Sequence, residues 1–425
     1  MIGPKGTLIV SGRWDDNVAI VDIAQALLPE NDGTPNAILS RPRATPDLDL
    51  DGDGVPDARA SGQPVAVAVD VAARHAYVVC HSGDATPEGA AAYQHGHPGL
   101  VTVLDVAAAT DPAHDDTLGA VVEFVSTGRT GPVGCALTPD GRALLVNCGE
   151  AEGSEDGGDE VTVIDVATRR VTARVPLALN PDHPARSPSP HDSPHESFGH
   201  YPNPTGIVIS PRAGGVVFVG NGGFSDVSVL DLKAALAGSA EAEINRVAVE
   251  TGPFGMALSP DGALVAVASR ESMSRPTEGG TVSIIDVGRA AARRPDAELA
   301  RIPVGGTTDE MPSRPFGVAF SQNGSRLVVS CFRTNAISIL DVAAACAGKA
   351  CELHRLYPEA PGGATPRPRG IAVCGPYACV IGGAKEGARS SLVWVVDIAA
   401  GTVVGTVTGV GNESYFLAAI PPPST

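Results

Sequence analysis

No apolar run in this 425-residue chain is long enough to cross a bilayer. Thr7–Val10 is too short for the apolar core of a signal peptide and serves better as a strand, so any export leader is expected to be absent from this chain. Positive charge is scarce: 30 Lys and Arg stand against 48 Asp and Glu, a net charge of −18. That imbalance excludes nucleic acid and anionic membrane surfaces as partners, because both repel an acidic protein. Three catalytic signatures are also missing: a serine nucleophile elbow, a phosphate-cradling glycine loop and a dinucleotide fingerprint. The 50 glycines and 36 prolines belong to turns, and 43% hydrophobic residues suffice for a core.

What is present is a repeat. Arg314 to Asp341 reads as three short strands, Phe316–Phe320, Arg326–Ser330 and Ala336–Leu340. The first two are joined by Gln322-Asn323-Gly324, where Asn and Gly supply the positive φ of a tight hairpin. The closing Asp recurs as Asp22, Asp105, Asp165, Asp231, Asp286, Asp341 and Asp397, each between aliphatic residues. Seven strand-rich units that cannot bury both faces alone predict one all-β domain over 1–425, a seven-bladed β-propeller. Blade one, Thr7–Asp22, lacks an inner strand, and Ser414–Ile420 lacks a blade. The C-terminal strand is therefore expected to pair beside Leu8–Val10 and close the ring, removing exposed edges.

The segment Pro253-Phe254-Gly255 through Ser259-Pro260-Asp261-Gly262, followed by Val282–Asp286, resembles the YVTN-type propeller repeat. Pro132-Val133-Gly134 with Thr138-Pro139-Asp140-Gly141 is similar. The resemblance covers nearly the whole chain and implies the fold; function stays open, since such propellers include lactone hydrolases, metal-dependent oxidases and binding proteins.

Two insertions interrupt the repeat. Within 46–60 lies Asp49-x-Asp51-x-Asp53-Gly54-x-x-Asp57, with carboxylates at every second residue, a glycine for the turn and a later acid. This spacing suits calcium held by Asp49, Asp51, Asp53 and Asp57 as a structural brace. It departs from an EF-hand, having Ala60 where the twelfth-position Glu belongs. The insertion 180–203 holds His183, His191, His195 and His200 among Pro and Ser, and the loop His81–Gly99 holds His95 and His97. Cys346–Cys351 and Cys374–Cys379 have spacing compatible with disulfides, which together with calcium imply a periplasmic or secreted setting. Cys80, Cys135, Cys148 and Cys331 read as free, small apolar fillers.

Strand alternation sorts the loops onto two faces. The loops leaving each second strand, and those leading into each blade, share one face; the Pro-Asp-Gly hairpins occupy the other. The first face collects His81, Arg13, Arg270, Arg314, Arg333, Arg369 and Glu413. Imidazoles at His95, His97, His191, His195 and His200 suit a transition metal such as copper, zinc or iron. Guanidinium groups suit a small carboxylate or phosphate ligand. The leading reading is a metal-assisted enzyme, hydrolase or oxidase, acting on a small anionic or carbonyl-bearing substrate, with His81, Arg270, Arg314, Arg333 and Glu413 as candidate catalytic residues. The alternative is a non-catalytic, calcium-braced propeller that binds a protein or cell-surface partner.

Overall fold

A computed structural model of the chain describes residues 6–91, 97–149, 158–180, 200–270, 277–309, 311–383, 387 and 389–421. Seven four-stranded antiparallel sheets form the blades of a propeller. The inner strands of blades two to seven are Pro64–Val69, Pro132–Leu137, Pro204–Ser210, Pro253–Leu258, Pro315–Phe320 and Ile371–Cys374. Blade one takes its inner strand from the far end of the chain: Leu417–Ile420 pairs with Thr7–Gly12, Thr7 opposite Ile420 and Val10 opposite Leu417. The expected closure is what the structure shows. Among the described residues, no helix is long and apolar enough to cross a membrane.

The period-two alternation of each strand decides where its side chains go. In Thr7–Gly12, Leu8 and Val10 pack toward blade seven while Ile9 packs toward blade two. Each apolar cluster of the core is shared by two adjacent blades in this way. No blade has a core of its own, so every blade depends on its neighbours.

The recurrent Asp has a structural reason. Its carboxylate accepts hydrogen bonds from backbone N–H groups two or three residues on: Asp105 from Ala108, Asp231 from Ala234, Asp286 from Arg289 and Asp341 from Ala344, all at 2.8 Å. In these blades it caps a one-turn helix, such as Val287–Ala291, that starts the crossing to the outer strand. In blades three and seven, Asp165 and Asp397 do the same for a helix-free turn.

The recurrent Pro-x-Gly follows from convergence on the axis. A Cβ at Gly134, Gly206, Gly255, Gly317 or Gly370 would run into a carbonyl oxygen of the next blade: Thr205, Phe254, Phe316, Arg369 and Tyr415 respectively. Farther out, a clasp ties blades together. Glu243 accepts from Ser228 Oγ at 2.7 Å and Arg246 Nε at 2.6 Å, and Arg246 reaches on to the Ala178 carbonyl beside the preceding blade. Glu298 with Ser283 and Arg301, whose guanidinium reaches the Ala248 carbonyl, repeats it one blade on. A bulge within each outer strand lets a Glu and an Arg three residues apart share one face.

All eight cysteines are free thiols, which corrects the expected disulfides. Cys374 faces Tyr377 and Cys379 faces Ala372, so the pair is diagonal, and diagonal positions stand farther apart than opposed ones. The two thiols influence one another, which holds the Cys374 pKa down and pushes that of Cys379 well up. Cys346 ends a helix, and its chain turns through Gly348 before Cys351 enters the core.

Candidate functional site

The face that collects the arginines is built on a repeated backbone irregularity. The residue immediately before each inner strand of blades two to six has positive φ (Gln63, Gly131, Asn203, Gly252 and Arg314), and so have Arg367 and Glu413, which lead into the inner strands of blades seven and one from four residues upstream. In blades two to six the strand register then slips just after its proline, at Pro64, Pro132, Pro204, Pro253 and Pro315. Such bulges re-aim side chains. Here they bring the following residue to the channel mouth, and at Phe254 and Phe316 the two rings meet edge to face at 4.7 Å.

The arginines stand on these aromatic faces. Arg270 lies 4.5 Å from the Phe254 centroid and 5.6 Å from that of Phe316. Arg314, Arg367 and Arg369 surround Phe332 at 5.0, 5.4 and 5.3 Å. A cation over a ring face is attracted by the ring quadrupole, and more strongly where water is excluded. Arg13 stacks on Trp14 and Tyr415 and donates to Gln63 Oε1 at 2.9 Å and to the Tyr415 hydroxyl at 3.0 Å. Sequence reasoning missed Phe254, Phe316 and Tyr415. Their signal was available: aromatics make up 4% of the chain, and Phe254 and Phe316 both fill the middle of Pro-x-Gly.

One carboxylate balances this cluster. Glu413 lies 3.5 Å from both Arg13 and Arg369 and accepts from Trp14 Nε1 at 2.6 Å. Arg369, 2% exposed, also donates to the Gly383 carbonyl at 3.0 Å. Arg333 is drawn to the Pro312 carbonyl. Arg270 differs from these. Among the described residues its guanidinium has no hydrogen-bond or ion-pair partner, and its Nε is shut off from solvent. A half-buried cation in that state is set to receive an anion.

His81, beside Arg13 and Gln63, has its pKa lowered to about 4, by burial first and the Arg13 charge second, against the Pro132 carbonyl. It is therefore neutral at pH 7. Nδ1 sits 3.1 Å from that carbonyl, an acceptor, so the proton resides on Nδ1 and Nε2 keeps a lone pair. The thiols at equivalent strand ends are inert: burial pushes Cys80 and Cys331 up to about 12 and Cys148 to about 11.

Around the axis the inner strands line a partly open cavity of about 180 Å³. Its walls are the beginnings of the inner strands, including Val133, Cys135, Ile207, Met256 and Val318, with four glycines between them. Phe416 and Phe254 stack 5.8 Å apart at the junction of cavity and mouth.

The metal candidates divide. Asp49, Asp51 and Asp57 bring carboxylate oxygens within 4.8 Å of one another. Asp53 stands outside that group and accepts from the Val55 N–H at 2.8 Å. His97 pairs with Asp84 at 3.2 Å, and His200 Nδ1 meets the Asn180 carbonyl at 3.2 Å. His95, His191 and His195 lie outside the described residues.

No protein-family model matches this chain, and no curated protein matches it in sequence. Solved structures do match in shape. A periplasmic gluconolactonase from Pseudomonas aeruginosa superposes with a TM-score of 0.61 at 18% identity, covering 98% of this chain and 99% of that one. A provisionally assigned 6-phosphogluconolactonase from Bacteroides uniformis gives 0.61 at 14% identity over 98% and 100%. A functionally unknown protein from Desulfotomaculum acetoxidans gives 0.58 at 14% identity over 98% and 99%. At such identities the likeness establishes one thing about this chain: it is a seven-bladed propeller of the architecture those proteins share.

Proposed function

We propose that the channel mouth binds a small anionic, carbonyl-bearing substrate and hydrolyses it, the substrate being a lactone or ester of an organic acid. The observation that carries this reading is Arg270: a guanidinium on two phenylalanine faces that has no partner among the described residues, in a protein of net charge −18. The gluconolactonase of the same fold supplies the reaction class.

In this scheme Arg270, with Arg314 beside it on the aromatic cluster, holds the substrate anion. Arg13 and Tyr415 offer N–H and O–H donors to the carbonyl oxygen, where negative charge develops. Glu413, oriented by Trp14 and two arginines, directs a water molecule at the carbonyl carbon. A new C–O bond forms, the ring C–O bond breaks, and the water proton passes to the leaving oxygen. The metal-assisted form of the reaction would add Lewis acidity from an ion held by His97, His200 and the histidines of the two long loops. Calcium on Asp49, Asp51 and Asp57 would act as a brace. Those exposed carboxylates favour the second reading, a calcium-braced scaffold that binds a partner without catalysis.

The test is turnover of anionic lactones and esters, the 6-phospho form of δ-gluconolactone among them and uncharged δ-gluconolactone as the comparison, with metal content measured on the same preparation. Arg270→Met should raise KM at least ~10-fold, and Glu413→Gln should lower kcat by ~100-fold at unchanged KM. Calcium as the sole bound metal, with no lactone or ester turned over, would favour the scaffold.

A further inference from the structure

We infer that the ligand of the mouth carries, besides its anionic group, an uncharged apolar tail of up to about six carbons that lies in the axial cavity. The inference rests on the reading that the mouth binds an anion, and it names the other half of the molecule. Phe254 connects the two spaces: its ring faces the Arg270 guanidinium at 4.5 Å and also lines the cavity. Phe416, stacked on it at 5.8 Å, lines the cavity as well. An anion held on Arg270 therefore has the cavity directly below it.

The chemistry of the cavity wall selects the tail. Among the described residues it presents no charged side chain, so a second anionic group finds no partner there. Its one hydroxyl, Thr205, already donates to the carbonyls of Gly220 at 3.0 Å and Pro253 at 2.7 Å. A polyhydroxylated tail would surrender its hydration to Cys135, Met256 and aliphatic groups, which return little. An apolar tail loses nothing by leaving water. At about 180 Å³ the space exceeds the ~150 Å³ apolar cavity that accommodates benzene, hence the limit of about six carbons. The space also has a structural origin. Gly134, Gly206, Gly255 and Gly317 are required by contacts with the next blade, so the ring cannot fill its own centre from these positions.

The experiment is a ligand-observed NMR titration with straight-chain carboxylates from acetate to octanoate, and with gluconate, at pH 7. Affinity should rise about four-fold per methylene, the ~0.8 kcal/mol of its transfer, and level off after about six carbons. Gluconate should bind no better than acetate. Val133→Phe, which fills the cavity away from the arginines, should flatten the series and leave acetate unchanged. Cys135→Leu, on the same wall with less added bulk, should shorten the rise and serves if the first variant does not fold. Arg270→Met should weaken every member by a similar factor. Acetate binding with no dependence on chain length would overturn the tail and leave the anion site standing. Gluconate binding more tightly than hexanoate would overturn the tail as well. Absence of binding by every carboxylate would overturn the anion site and the tail together.

Discussion

The two faces of the ring ask the same thing of the backbone and receive different residues. On the hairpin face the turn between the first two strands needs positive φ, and it is met by Gly141, Gly262, Gly324 and Gly375, with the small Ala73 and Ala213 in the other two hairpins. On the mouth face one residue leading into each inner strand needs it too, and five of the seven are Gln63, Asn203, Arg314, Arg367 and Glu413. Glycine adopts that conformation freely, whereas other residues pay of order 1 kcal/mol. The hairpin face has relaxed; the mouth face retains strain in return for polar side chains at the channel. Strain of this kind persists where the side chain has a task, which is why the mouth and not the turn face is taken as the site.

The largest expected effect concerns how the mouth is assembled. Tyr415 and Phe416 come from the segment that closes the ring, and Glu413 leads into it, so deleting 414–425 should abolish cooperative unfolding as well as binding. The hairpin face contributes nothing comparable; a truncated protein that melts like the full-length chain would break the comparison at its root.

Next comes a buried acid at the mouth edge. Asp16 is raised to about 6 by burial, which outweighs its hydrogen bonds from Gln63 and Ser61. Its folded pKa lies above the unfolded value, so the native state binds the extra proton between about pH 4 and 6. Stability from this group is therefore present below about pH 4 and is lost as pH rises through 6, by up to ~3 kcal/mol. Asp16→Asn tolerates the positive φ there and should be the more stable protein at pH 7.5, with the gap closing by pH 4. Thermal melts of both proteins across that range check it, and a gap that does not vary with pH would refute the assignment.

The comparison itself is tested by exchanging residues. Arg367→Gly should stabilise by up to about 1 kcal/mol, and Gly324→Ala should destabilise by about the same. Urea unfolding reads both; loss of stability in both variants would mean that the mouth residue earns its place by packing.

The smallest effect is expected at the exposed loop Asp49–Asp57. Calcium at five times its Kd should add about 1 kcal/mol, and Asp51→Ala with Asp53→Ala should remove it. Asp53 lies outside the oxygen cluster, so the single variants separate a ligand from a turn-former. Melting curves unchanged by chelator, in protein first loaded with calcium, would dispose of the brace.

Much of this molecule was legible before any coordinates. The seven Asp markers, the hairpin signals and the orphan strand at the C-terminus are local or periodic, and each dictates its own short piece of geometry through φ preference, capping or alternation. They determined the propeller and its closure, and they sorted the loops onto two faces. Arg13, Arg270, Arg314, Arg369 and Glu413 were placed together on one of them from strand alternation alone. What the chain could not declare is which of these residues meet. That Phe254 on blade five touches Phe416 on blade one, that Glu413 serves both Arg13 and Arg369, and that Arg270 meets no carboxylate among the described residues depend on convergence of seven strands on one axis. The partners lie as far as 400 residues apart in the chain, so no periodicity links them; only closure of the ring brings them within hydrogen-bond reach.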